Sequence, residues 1–179
     1  MAPELKTPRL TLRPIELEDA ARVIIFTREP DIARMVSVMP NPQPLIAAEG
    51  YILISMARRA LGRDFVFAID LPGAGLVGVV GAHPKPDRVE IGYWVGKPYW
   101  GRGYATEAAR AAADFAAALG VGPVTARHFA DNPASGRVLA KAGFVYTGEV
   151  TPIFSLSRGE SAPSRLMVRA PAAPNALAA

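Results

Sequence analysis

Cysteine is absent from the 179 residues, which excludes disulfides, thiolate metal sites and a cysteine nucleophile. With only 2 histidines beside that absence, no metal centre is expected. The opening Met-Ala-Pro-Glu-Leu-Lys lacks an apolar signal core. No apolar run is long enough to span a bilayer, and the stretch 45–61 is broken by Glu49, Arg58 and Arg59. No membrane partner is therefore expected, and the cytoplasm is the default compartment. Acidic residues are in the minority, 16 against 20 basic ones, for a net charge of +4. The basic residues are scattered rather than blocked, which argues against nucleic acid. Their surplus serves solubility or draws in an anionic ligand.

Half of the chain is hydrophobic and a fifth is charged, as in an ordinary globular domain with one core. Leu10 to Arg13 alternates and ends at Pro14, a first strand. Glu16 to Glu29 has apolar residues at helical spacing and acids in its first turn. Asp31 to Val38 suggests a further short helix. Met39 to Pro44, with alternate prolines, can only be a loop. Leu45 to Leu61 reads as a long helix closed by Gly62. Strands follow at Phe65–Ile69, Leu76–Ala82 and Arg88–Val95, the first two as a hairpin around Asp70–Gly75. A helix from Tyr104 ends at Gly120, and Val124–Phe129 is a strand. Pro133–Ala142 is a short helix with Asn132 as its cap, Pro133 at its first position and Gly143 past its end. Phe144–Thr147 and Leu166–Val168 close the sheet.

Between the strand ending at Val95 and the helix starting at Tyr104 lies Tyr99-Trp-Gly-Arg-Gly-Tyr-Ala-Thr-Glu-Ala108. Glycines at 101 and 103 let a ligand approach the backbone closely, and a helix start offers unpaired N–H groups with a partial positive charge. Together they make a seat for phosphate or pyrophosphate. The dinucleotide fingerprint does not fit, since Thr106 stands at the third glycine position and no suitably placed acid follows. The P-loop does not fit either, because no Gly-Lys-Ser/Thr is present.

Three motifs in order, Val89-Glu-Ile-Gly-Tyr-Trp-Val95, the glycine turn, and Asn132-Pro-Ala-Ser-Gly-Arg-Val-Leu-Ala-Lys-Ala-Gly-Phe144, resemble the GCN5-related N-acetyltransferases (GNAT). Within that family they resemble the branch of the ribosomal-protein N-terminal acetyltransferases, the RimJ/RimL type. Thr7-Pro-Arg-Leu-Thr-Leu-Arg-Pro14 is similar to the same branch, and the resemblance runs from about residue 10 to residue 167. It implies a single α+β domain over residues 1–170; the alanine-proline run at 171–179 has little to bury and is expected to be a disordered tail. The sheet would be central, mostly antiparallel and twisted, with about six to seven strands flanked by helices and a splayed strand pair holding the cofactor.

The resemblance also implies acetyl-coenzyme A (acetyl-CoA) as co-substrate. Its pyrophosphate would sit on the amides of Gly101, Arg102, Gly103, Tyr104 and Ala105, with the Thr106 hydroxyl nearby. Gly92 fits the family's strand bulge, or simply a close contact with a packed aromatic. Trp94, Val95 and Gly96 lie where donor backbone would be exposed, and the Val95 N–H is the one placed to polarise the thioester carbonyl. The Trp94 side chain is then packing or a substrate wall. Glu90 is the candidate base, or else an exposed or ion-paired strand glutamate. The tyrosine that many members carry seven residues after the asparagine is Leu139 here. The RimJ/RimL-type serine is present as Ser135, a hydrogen-bond donor to the departing thiolate or a residue bonding its own helix. Asn132 caps its helix and by resemblance holds the pantetheine. Arg102 and Arg137 pair with phosphates or are solvated. His83, at a strand end bordering the acceptor site, and His128 read as structural or exposed. Walls for the acceptor are expected from Ile32–Ala48 and from a loop around Phe154–Ser164. The expected reaction is acetyl transfer to a primary amine, a protein N-terminus or a small molecule. The alternative is an acyl-CoA-binding regulatory module without turnover. A homodimer is compatible with the resemblance.

Overall fold

The computed structural model describes residues 3–169, so the tail from Pro171 to Ala179 lies outside the described residues. Eight strands form one sheet: β1 (Leu5–Lys6), β2 (Thr11–Pro14), β3 (Phe65–Leu71), β4 (Gly75–Pro84), β5 (Val89–Val95), β6 (Val124–Phe129), β7 (Phe144–Ser155) and β8 (Glu160–Arg169). Their spatial order is β1-β2-β3-β4-β5-β6-β8-β7. Every neighbouring pair is antiparallel except β5–β6. The eighth strand, beyond the expected six to seven, is β1. It is too short to carry a pattern and is folded back on β2 by a turn in which the Thr7 amide donates to the Leu10 carbonyl.

The helices are α1 (Ala20–Thr27), α2 (Pro30–Ala33), α3 (Leu45–Ala60), α4 (Tyr104–Ala118) and α5 (Pro133–Lys141). The helix expected over Asp31–Val38 is the single turn α2, which Pro30 starts. A 3₁₀ turn at Leu17–Asp19, with a capping box between Glu16 and Asp19, leads into α1. Among the described residues no helix is long and apolar enough to cross a membrane.

Two apolar layers sandwich the sheet. On one face α4 lies against β4 and β5 through Ala108, Ala109, Ala112, Ala113 and Ala116, all fully buried. These alanines recur at helical spacing, and their small side chains bring the helix axis close to the strands. That close approach sets the height of the α4 N-terminus relative to β5. On the other face Ile15, Val23, Phe26, Ile52, Val79 and Trp94 join α1 and α3 to the sheet.

The expected closing strands, Phe144–Thr147 and Leu166–Val168, are parts of a much longer β7–β8 hairpin that also takes in the supposed loop at Phe154–Ser164. Its outer strand is open to solvent along most of its length and so carries little apolar alternation. Pro152 and Pro163 face each other, and the register shifts between Tyr146 and Val150, where Gly148 has φ +88°. A second expectation fails at Gly92. The β4–β5 register is unbroken from Pro84↔Val89 to Gly78↔Val95, so no bulge lies there. The splay comes instead from β6, which pairs with β5 only at Val89, Glu90 and Ile91.

Candidate active site

From Gly92 onward β5 has no strand on its β6 side. Strand backbones alternate the direction of their polar groups. The Val89 amide donates to Pro123 O on the β6 side, and the Gly96 amide donates to Val77 O toward β4. By that alternation Tyr93 and Val95 turn their amides into the splay, whereas Trp94 and Gly96 are engaged with β4. Val95 also turns its carbonyl that way, where it accepts from Trp100 Nε1. The Trp94 side chain is buried on the opposite face of the sheet from α4, tilted against Phe26.

The open edge continues into the glycine turn. Gly101 and Gly103 have φ of +74° and +81°, a conformation that other residues adopt only under strain. Gly103 is the N-cap of α4. Among the described residues, no protein group accepts from the amides of Gly101, Arg102, Gly103, Tyr104, Ala105 or Thr106. Six consecutive amides at the positive end of a 15-residue helix are thus available to an anion. Arg102 and Arg137 are exposed, and their guanidinium groups form no ion pair among the described residues.

The turn is held from outside. Arg9 donates through Nη1 to the Arg102 carbonyl at 2.9 Å and lies over the Tyr104 ring. Its Nε and main-chain N–H bond the two oxygens of Glu107, in the first turn of α4. Thr7 Oγ1 adds a third bond to that carboxylate, at 2.7 Å. Burial pushes the Glu107 carboxyl up, but the hydrogen bonds from Thr7 and Arg9 outweigh it and hold the group below its ordinary value of 4.5. A carboxyl lowered by folding stabilises the native state above its unfolded pKa, and that contribution is lost as the pH falls through the folded value. Glu107→Gln is therefore expected to lower Tm by a few degrees at pH 7, with the gap from the parent closing as the pH falls below the ordinary carboxyl value of 4.5. Thermal melts from pH 3 to 7 measure it.

Across the splay, α5 presents its N-terminus. Asn132 caps the helix by accepting from the Ser135 amide at 3.1 Å. The Tyr93 hydroxyl spans the gap to Ser135, 2.8 Å from its Oγ and 3.2 Å from its carbonyl oxygen. Burial pushes the Tyr93 phenol well above its ordinary range, so it stays protonated. Sequence reasoning missed Tyr93, which lies in the first of the three motifs but shows its partner only in three dimensions. Leu139 is fully buried core. His128 is structural, with Nδ1 at Phe129 O and Nε2 at the Tyr146 hydroxyl.

On the face away from α4, Glu90 is half-buried, and its carboxylate has no hydrogen bond or ion pair among the described residues. Opposite it on β4 stands His83, whose Nδ1 is 2.6 Å from Asp64 Oδ1, a partner that the sequence alone did not suggest. Beyond Trp94 the same face opens into a cavity of ≈ 230 Å³. Val38 and Met39 from the loop before α3, and Leu156 from the β7–β8 turn, close it. The turn is tied to that loop by Leu156 N to Ser37 O, and by Arg158, which bonds Arg34 O and both oxygens of Asp131. No group of three or more His, Asp or Glu able to hold a metal occurs among the described residues.

The sequence matches the Acetyltransferase (GNAT) domain family over residues 9–145. It is 31% identical over 153 residues to the uncharacterized N-acetyltransferase YoaA of Bacillus subtilis (strain 168), covering 83% of this chain and 86% of that one. The fold is similar to RimL, a ribosomal α-N-protein acetyltransferase, in complex with coenzyme A, with a TM-score of 0.79, 15% identity and coverage of 93% and 97%. It is also similar to MccE, a microcin self-immunity acetyltransferase, in complex with acetyl-CoA and AMP, with a TM-score of 0.76, 19% identity and coverage of 92% and 94%. The family match takes in the Arg9 clamp, the splay, the glycine turn and Ser135 together, and on it the chain belongs to the GNAT acetyltransferase family.

Proposed function

We propose that this enzyme moves the acetyl group of acetyl-CoA directly to the nitrogen of a primary amine, a protein N-terminus or a small molecule. One observation carries the reading: the amides of Gly101–Thr106, without a protein partner among the described residues, stand at the end of the strand gap into which Tyr93 and Val95 turn theirs, so two sets of donors line one path from a helix N-terminus into the gap. Such a track fits a pyrophosphate joined to an extended, amide-bearing arm. The residues present therefore suit acetyl-CoA, which would supply the activated acyl carbon. Gly101 to Ala105 would hold the pyrophosphate, with Thr106, Arg102 and Arg137 beside it, and Asn132 would face the pantetheine.

Around the reacting carbon the chain supplies three functions. The Val95 amide stabilises negative charge on the carbonyl oxygen. Ser135, held by Tyr93, donates toward the departing sulfur. On the opposite face Glu90 attracts the ammonium form of the acceptor to the group that takes its proton. Alignment in the splay lowers the entropic part of the barrier.

Millimolar acetyl-CoA is expected to raise Tm by several degrees, because it binds only the folded chain. Incubation of the protein with acetyl-CoA and an amine library is expected to give products 42 Da heavier by mass spectrometry, about the mass of an acetyl group replacing hydrogen. Binding without any such product would refute the transfer.

A further inference from the structure

His83 is presented as a base. Asp64, at 7% exposure, sits just before β3, and its Oδ1 takes the Phe65 amide as well as His83 Nδ1. A carboxylate only accepts, so the neutral ring donates from Nδ1 and keeps its lone pair on Nε2. The ring lies over two glycines. A Cβ built on Gly81 would fall 2.3 Å from Nε2, and one on Gly92 would fall 3.7 Å from it. Gly81 and Gly92 are cross-strand partners, and Gly92 is the first β5 residue without a β6 neighbour. Nε2 thus stands above a side-chain-free floor where the splay begins, with no protein partner among the described residues. The His83 side chain is 31% exposed, so the groove is accessible.

Two residue pairs further along β4 and β5, and so on the same face, are Val79 and Trp94, which wall the ≈ 230 Å³ cavity. No charged side chain among the described residues lines it, and its one carboxamide, Gln43, is already bonded to Thr27. A cavity of that size and lining accepts a branched aliphatic or phenyl group and disfavours a polar or charged one.

Building on the acetyl-transfer reading, we infer that His83, oriented by Asp64, is the general base, and that the acceptor is a primary amine whose compact apolar group fills the Trp94 cavity. His83 Nε2 takes one proton from the ammonium and later releases it to solvent. The freed nitrogen lone pair forms the C–N bond, the C–S bond breaks, and the remaining surplus proton on nitrogen ends on sulfur through the Ser135 hydroxyl. The imidazolium is flanked by Asp64 from the start of β3 and by Glu90 from β5. Tyr51 of α3, whose phenol burial and the Asp64 charge push up to about 12, stays neutral beside them.

The test compares two amines of similar shape at pH 7, benzylamine, which must lose a proton, and O-benzylhydroxylamine, which is already neutral. His83→Gln is expected to lower kcat/KM about a hundredfold for benzylamine and less than about threefold for the hydroxylamine. Asp64→Asn, which preserves shape, should repeat the split. An equal loss for both amines in variants that still bind acetyl-CoA, or no loss for either, overturns the base assignment. Wild-type enzyme that prefers spermidine, or turns over neither benzylic amine while binding acetyl-CoA, overturns the acceptor class. Failure of the wild type to bind acetyl-CoA instead refutes the acetyl-transfer reading and takes this inference with it.

Discussion

Gly103→Val is expected to remove measurable acetyl-CoA binding while the chain still folds. The native φ at this position is +81°, and a Cβ there would lie 3.2 Å from the Arg9 guanidinium. A β-branched residue held in that region costs on the order of 1–3 kcal/mol. The turn relieves the strain by rotating, which swings the neighbouring amides away from their common focus. Each amide bonded to a charged phosphate is worth about 1.5–3 kcal/mol, so misdirecting two of them weakens Kd by at least about a hundredfold. The control is Gly120→Val, at the opposite end of α4, where φ is +68° and the backbone strain is comparable. It should lower Tm by a similar amount and leave the acetyl-CoA-induced shift intact. Calorimetric titration of the two variants measures both effects. Normal binding by Gly103→Val would show that the amide seat does not hold the pyrophosphate.

Much of this site could be read along the chain because its main contributors are main-chain groups. Gly101, Gly103 and the α4 start are contiguous, and their chemistry depends on backbone geometry that glycine and helix signals encode locally. The Asn132 cap is local in the same way, three residues from the amide that it accepts. What escaped reading depends on register. Asp64 and His83 are 19 residues apart and meet only because of how β3 pairs with β4. Tyr93 and Ser135 are 42 apart and meet across a gap that exists because β6 leaves β5 after Ile91. The splay itself follows from the family resemblance, whereas the bulge that Gly92 would fit is absent, the register being continuous there. The β7–β8 hairpin was underestimated because a solvent-facing edge strand needs no apolar alternation.

Loss of the Ser135 hydroxyl is the second large effect expected. Ser135→Ala should lower kcat about a hundredfold, the usual scale for removing a positioned donor from developing negative charge. The KM for acetyl-CoA should change less than about threefold, since Ala retains the main-chain amide that Asn132 caps. The geometry makes a sharper statement about Tyr93. Its phenol, kept protonated by burial, can donate to Ser135 Oγ at 2.8 Å, and with the tyrosine as donor in that bond the serine hydroxyl is free to direct its own proton to the sulfur. Tyr93→Phe should therefore lower kcat about tenfold, by loosening Ser135 rather than by removing a proton donor. In the double variant the tyrosine has nothing left to orient, and kcat should equal that of Ser135→Ala alone. Multiplicative losses, about a thousandfold together, would mean that Tyr93 acts on the reaction independently of Ser135. Steady-state kinetics on the three variants, with a saturating amine, separate the two outcomes.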